Sequence, residues 1–407
     1  MTPIGILARD PVFRMLATAA AAHGAVLACI YPYLSLIAVQ NVGLSEPMLA
    51  LLLGLASISV AGSSVLFGLI ADQNGKRRQI ALVTVGLTVL GCALMLTNPG
   101  PLTLFLAHGL LLPIGTSIFG QIFALNNLAA QAYPTQREGL QSTLRAGISA
   151  VFLFTLIFWT WGLGPGGFGV MSVYVTALIA SLILAVLIWH GWPHAGRTQW
   201  QDRPSGLNLA QALVELLHPS VAFRLLCLGA IGGLPMLYIV LTPLLFAQES
   251  ARQMSDVALL VGLVAGFEVP FMLALPRLVR HVSRQRLIAA GAVIYALFVL
   301  LLALFPGGNL LWALPFLAGL GAAPILTLPI GYWQDLMVGR PGTASALFAL
   351  QKLAGDLLCA ATFGLGTYLG GYTVAALLGG ALATTGAVGL LLIDQARPSK
   401  MNCPPVS

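Results

Sequence analysis

Of 407 residues, 58% are hydrophobic and 8% charged, which leaves too little polar surface to cover a water-soluble globule. The net charge of +7 is spread along one set of gaps between apolar stretches, which excludes a nucleic-acid patch and fits a membrane face. Five cysteines without CxxC spacing and six scattered histidines without HExxH or GxSxG supply no disulfide framework, metal site or hydrolytic centre, and no cofactor is expected.

Twelve apolar stretches, each about 20 residues long and so able to cross a bilayer, are predicted as helices. They start at Val12, Pro47, Ile80, Pro101, Leu140 and Val170, then at Val221, Val257, Leu287, Leu310, Thr343 and Thr373. The first is itself long enough to span, so insertion is expected to use it uncleaved. Alternate gaps carry Lys76-Arg77-Arg78, Arg137, Arg197 and Arg203, Arg277 to Arg286, and Arg340, whereas the other set holds only Arg252. Cations stay on the cytoplasmic side during insertion, which puts both termini there.

Between the sixth and seventh stretches lies the only long polar segment, His190 to Ser220, with Pro193, Pro204, Pro219 and a short amphipathic run from Leu207 to Leu217. The expected organisation is an N-terminal six-helix bundle over 1–190, a cytoplasmic linker over 191–220 and a C-terminal six-helix bundle over 221–407. Pro32 and Pro243 are separated by 211 positions, and so are Pro113 and Pro324. Each half begins and ends on the same side, so these are parallel repeats, the arrangement of a rocker that binds between its halves. Proline frees backbone groups that only protein or water can satisfy, which makes helices one, four, seven and ten cavity walls. The fold class is an all-α integral membrane protein of twelve transmembrane helices in two pseudo-symmetric six-helix bundles.

After the second stretch comes Gly68-Leu69-Ile70-Ala71-Asp72-Gln73-Asn74-Gly75-Lys76-Arg77-Arg78. Gly68 permits close helix contact, Asp72 ends the helix, Gly75 allows a tight turn and the cations hold the loop at the anionic leaflet. This resembles the signature loop of the major facilitator superfamily, with Gln73 in place of a basic residue. The second copy, Pro276 to Arg286, has Arg280 at the Asp position and Ser283 at the second Gly, so it reads as vestigial. Asp72 is then either a latch against the positive N-terminus of the eleventh helix, around Pro341 to Ser345, or part of a plain topogenic anchor.

Gly266-Phe267-Glu268-Val269-Pro270, Tyr332-Trp333-Gln334-Asp335-Leu336-Met337-Val338-Gly339-Arg340-Pro341-Gly342, Arg137-Glu138 and Ser142-x-x-Arg145-Ala146 are similar to the bacterial sugar efflux transporter family. The resemblance implies a monomer of the bacterial inner membrane that exports a sugar or glycoside in exchange for protons, with no enzymatic activity. A charged or zwitterionic metabolite, siderophore or drug is the alternative cargo, moved out or in. A polytopic membrane enzyme or a sensor is the alternative class.

Glu268, Lys352 and Asp356 fall well inside apolar stretches, where a central charge costs roughly 2.5 to 3.5 kcal/mol, so they should face the bundle interior. Lys352 and Asp356, four apart, share one helix face and can pair. Both a proton relay and a structural salt bridge fit them. Charge at these two positions departs from the sugar exporters and points to an acidic or zwitterionic substrate. Arg145 can answer Glu138 or Asp335 across the inner mouth, and Asp335 and Arg340 mirror Glu138 and Arg137, as a gate of charge pairs or as surface caps. His23, Tyr31, Gln121, Asn126, Tyr238 and Gln351 offer the amides, hydroxyls and aromatic faces that sugars want, and serve equally as interhelical ties or interface anchors. Gly162-x-Gly164-x-x-Gly167 imitates a dinucleotide fingerprint but follows a membrane helix, so it is read as an outer turn.

Overall fold

A computed structural model describes residues 2–74, 76–193, 213–337 and 341–395. Among these, twelve helices are long and apolar enough to cross a membrane. They are α1 (Pro11–Asn41), α2 (Glu46–Asn74), α3 (Arg77–Thr97), α4 (Pro101–Ala132), α5 (Arg137–Leu163), α6 (Val170–Gly191), α7 (Pro219–Gln248), α8 (Met254–Leu278), α9 (Arg284–Leu304), α10 (Asn309–Leu336), α11 (Pro341–Gly370) and α12 (Tyr372–Gln395). Each begins within three residues of its expected start, because start signals accompany the apolar runs. Asp10 caps α1, its Oδ1 accepting from the Val12 amide at 2.9 Å, and Pro11 follows at the first helical position. Gln253 and Asp256 form a capping box at α8.

Helices α1 to α6 pack on one another, with α1 against α5 and α6 and α3 against α6. Helices α7 to α12 do the same, with α7 against α11 and α12 and α9 against α10 and α12. Small residues permit the tightest crossings. A Cβ at Gly24 of α1 would lie 2.7 Å from the Ile148 carbonyl of α5, and one at Gly233 of α7 would lie 2.6 Å from the Gly355 carbonyl of α11. In lipid, where burial of apolar surface does not drive helices together, such close backbone approach supplies the packing energy. Most of the expected linker, residues 194–212, lies outside the described residues.

The four proline-marked helices are irregular or carry internal proline, as does α8 with Pro270 and Pro276. Helix α1 passes through a 3-10 turn at Tyr31–Tyr33 and a π segment at Ile37–Asn41, and α4 carries a π segment at Ala107–Leu111. Helix α7 turns at Gly233 and contains Pro243, and α10 contains Pro324 and Pro329. Gly164 and Gly167 lie in the turn after α5; Gly167 has φ +64°, and a Cβ at Gly164 would meet Ser255 Cβ of α8 at 3.1 Å. That turn needs glycine for its geometry.

An even number of spans puts both described chain ends on one face, here called the basic face because the cation-rich gaps lie on it. The halves meet toward the other face. There Ser35 Oγ of α1 donates to the Val240 carbonyl of α7 at 2.7 Å, and the Tyr372 hydroxyl donates to Glu46 Oε1 at 3.2 Å. A Cβ at Gly364 of α11 would touch Ala50 Cβ of α2 at 2.9 Å, and one at Gly262 of α8 would sit 3.6 Å from Leu153 of α5. The ends of α4 and α10 nearer the basic face pack within their own halves.

Candidate functional site

The Lys352 ammonium lies 2.9 Å from Asp356 Oδ2, one turn further along α11. The Lys352 side chain is 63% exposed and that of Asp356 14%. Exposure at mid-helix in a membrane protein means lipid or a water-filled cleft, and helix geometry decides which. Leu357, about 140° around α11 from Lys352, reaches α2, 3.9 Å from where a Cβ on Gly54 would stand; at 100° per residue, the exposed Leu365, Tyr368 and Leu369 lie about 220°, 160° and 260° from Lys352. They form its lipid stripe, so Lys352 and Asp356 point the opposite way. Tyr31 of α1 lies within electrostatic range of both charges. The pair therefore faces away from lipid with the Lys352 side chain still open, about 16 Å along α11 from its basic-face end.

Arg145 obeys the same geometry on α5. Phe154, Ile157, Phe158 and Trp161 are exposed and lie about 120° to 220° around the helix from it. The exposed Arg145 thus faces away from lipid. Its expected partner Asp335 instead pairs with Arg284 of α9 at 3.2 Å, within the C-terminal half. Gly331 makes room for that guanidinium, which packs directly over it. Arg340 and Gly75 lie outside the described residues, as do the side chains of Asp72, Arg137 and Glu138. Lys76 is exposed, Arg77 is buried, and Arg78 donates to the Trp189 carbonyl at 2.7 Å and stacks over that indole. Gly68 makes no close contact here: a Cβ on it would meet nothing within 4 Å among the described residues.

Glu268 sits where α8 presses on α10. A Cβ at Gly319 would lie 2.6 Å from Phe267 Cβ and 2.9 Å from the Glu268 amide. Its carboxyl is near enough to Tyr238 and Tyr295 to interact with both phenols. The Tyr238 hydroxyl is buried and has no partner among the described residues. At about 15 Å from the end of α8, Glu268 matches Lys352 in depth.

The remaining polar candidates scatter. His23 is buried on α1 with its ring 6.1 Å from that of Phe119 of α4. Gln121 Oε1 and both polar atoms of the Asn126 amide are buried and unpartnered among the described residues. Five positions apart on α4, these side chains diverge by about 140° and border the two edges of its open stripe, Phe119, Gly120, Phe123 and Ala124. Gln351 is not open: it is buried and its Oε1 accepts from Trp333 Nε1 at 2.7 Å, tying α11 to α10.

Two buried polar clusters escaped the sequence reading. Arg224, 1% exposed near the start of α7, donates to Asp394 Oδ1 of α12 at 2.8 Å and to the Tyr332 hydroxyl of α10 at 2.9 Å, and Tyr332 donates to Asp394 Oδ2 at 2.9 Å. In the other half, His108 of α4 and Tyr174 of α6 share a buried hydrogen bond of 2.7 Å. Outside the spans, the Tyr133 hydroxyl donates to Asp10 at 3.2 Å. Desolvation first, then the adjacent carboxylate, raises its pKa above the ordinary tyrosine value.

The profile of the Major Facilitator Superfamily matches residues 16–357. A putative sugar efflux transporter of Deinococcus radiodurans is 29% identical over 377 residues, covering 90% of this chain and 94% of that one. Sugar efflux transporter A of Dickeya chrysanthemi is 26% identical over 342 residues, covering 81% and 83%. Among solved structures, the nucleoside transporter NupG superposes with a TM-score of 0.77 at 14% identity over 95% of this chain and all of that one. A POT family transporter in complex with a thioalcohol-conjugated peptide gives 0.76 at 11% identity over 94% and 96%.

Proposed function

The chain belongs to the Major Facilitator Superfamily, and on that premise we propose that it exports a small sugar, glycoside or related polar metabolite across the bacterial inner membrane, in exchange for protons, by alternating access. The observation that carries this reading is the one-sided closure. The halves touch through Ser35 and Val240 and through Ala50 and Gly364, while Lys352, turned from lipid with Asp356, keeps a side chain 63% exposed nearer the basic face. The cation-rich gaps put that face, with both termini, in the cytoplasm. The conformation is then open inward, ready to load cargo for export.

In this reading the bundles 1–190 and 221–407 rock as bodies about a central site, joined by the linker 191–220. Asp72, Gly75 and Lys76 to Arg78, with Arg137, Glu138, Arg145, Asp335 and Arg340, form the inner gate that shuts in the opposite state. Glu268 and Asp356 are the groups that take up and release protons. The relatives' names support a sugar-like cargo, and the twelve-span chain acts as a monomer.

Counterflow in proteoliposomes tests the proposal. Liposomes preloaded with unlabelled hexoses, disaccharides and sugar acids should accumulate the matching labelled compound without an energy source, which only a carrier does. Absence of exchange for every compound, from protein that remains monodisperse, would reject it.

A further inference from the structure

Resting on the reading of the chain as a sugar-type transporter, the geometry points to Lys352, held by Asp356, as the recognition point for a carboxylate, so that the cargo is a small polyhydroxylated acid. The pair is neutral as a whole, but its two charges are unequally presented. Solvent reaches 63% of the Lys352 side chain and 14% of that of Asp356. A ligand that reaches the pair therefore meets an ammonium whose countercharge lies behind it.

An ammonium has three N–H donors, and among the described residues Lys352 spends one, on Asp356 Oδ2 at 2.9 Å. Two remain for a ligand, enough for both oxygens of a carboxylate. The order along the helix matters too. Lysine preceding the acid by four residues is the weaker orientation of such a pair, so Asp356 positions the ammonium without saturating it. Lys352 is also a full turn nearer the basic-face mouth than Asp356, so an anion entering from that mouth reaches the cation first. Arg145, exposed and turned from lipid, adds positive potential along the approach, and a cleft with low-dielectric walls focuses such a field. A zwitterion would need the carboxylate of Asp356 for its ammonium, and that group is recessed. Glu268 lies on α8, within electrostatic range of Tyr238 and Tyr295, and Lys352 lies on α11.

The test is ligand-dependent thermal stabilisation and isothermal titration of the full chain in detergent. Sodium gluconate, glucuronate and galacturonate are compared with their neutral partners sorbitol, glucose and galactose. At least one acid should bind about ten-fold or more tightly than its neutral partner, the effect of a charge-assisted hydrogen bond. Lys352→Gln should erase that preference and Lys352→Arg should keep most of it. If Lys352→Gln does not fold because Asp356 is left unpaired, the charge-free double variant Lys352→Met/Asp356→Leu replaces it, with the same expected loss. Equal binding of acids and neutral sugars, or an acid preference that survives removal of the ammonium, overturns the carboxylate assignment and leaves the sugar reading intact. Binding of no compound by wild-type protein overturns both.

Discussion

Ala50 and Gly68 lie eighteen residues apart on α2, five full turns and about 27 Å, and so share one face of the helix. The two ends of that face meet opposite conditions. Ala50 packs where a Cβ on Gly364 of α11 would stand 2.9 Å away, whereas a Cβ on Gly68 would find nothing within 4 Å among the described residues. Helices α2 and α11 thus diverge toward the basic face. Gly68 is the glycine of the signature loop, and under the proposed rocking its small size would be needed when that end closes. Gly68→Trp should therefore leave thermal stability within about 0.5 kcal/mol, as for an open surface site, while lowering transport more than ten-fold by blocking closure. Substrate binding in detergent should persist. Wild-type transport by the tryptophan variant would show that α2 and α11 never close on that face.

At the other face the Ser35 hydroxyl is buried and donates to a carbonyl of the opposite half. Removing one such bond costs about 1 kcal/mol net, or roughly five-fold in an equilibrium between states. Ser35→Ala should shift molecules toward the state open at that face, and Tyr372→Phe, which removes the bond to Glu46, should add to it independently. Spin labels at Asn98, in the loop after α3, and Asn309, at the exposed start of α10, report the change. A longer-distance population should grow in each variant and most in the double variant. An unchanged distance distribution would mean these bonds do not hold the closure.

What the sequence disclosed was governed by distance along the chain. The twelve starts were readable because a span is a local property of apolar length, capping acid and proline. The Lys352–Asp356 pair was readable because its members are one turn apart. Arg224 and Asp394 stand 170 positions apart, His108 and Tyr174 sixty-six, so neither pairing left a local trace. A signal did exist for the first, since an arginine within a span demands a countercharge, and Asp394 is the acid at the end of α12. Gln351 looked like a sugar-binding amide because its partner, Trp333, sits across a helix turn in a motif noted for other reasons. In that motif Tyr332, Trp333 and Asp335 reach α7 and α12, α11, and α9 respectively, making the end of α10 the point where the C-terminal half is tied together. The 3-10 and π segments of α1 and α4 went unseen because they alter helix winding without altering apolar content.

That tie yields a stability prediction. Arg224 is 1% exposed and Asp394 12%, so removing the guanidinium strands a carboxylate away from water. Arg224→Met should destabilise by about 3 to 5 kcal/mol, whereas Arg224→Met/Asp394→Leu should recover most of the loss, because replacing both partners removes the desolvation penalty. Tyr332→Phe, which deletes only the hydroxyl shared by both, should cost about 1 to 3 kcal/mol. Thermal unfolding followed by size-exclusion chromatography measures the order. A double variant no better than the single would show that shape at this site matters more than charge.

Glu268 offers the sharpest separation of proton coupling from architecture. Among the described residues it forms no salt bridge, so neutralising it breaks no ion pair, and Glu268→Gln keeps its shape and most of its hydrogen-bonding capacity. If Glu268 carries the coupled proton, the glutamine variant should bind cargo and perform counterflow, which needs no net proton movement, yet lose accumulation driven by an imposed pH gradient. Its stability should hold or rise, since a half-buried carboxylate without an ion pair is a cost to the fold. Asp356→Asn is the necessary comparison, because there the substitution also releases Lys352 from its 2.9 Å partner and should weaken cargo binding as well as coupling. Loss of gradient-driven transport with intact counterflow in the first variant, and loss of both in the second, would separate proton carrier from cargo holder. Gradient-driven transport at the wild-type rate in Glu268→Gln would remove it from the relay.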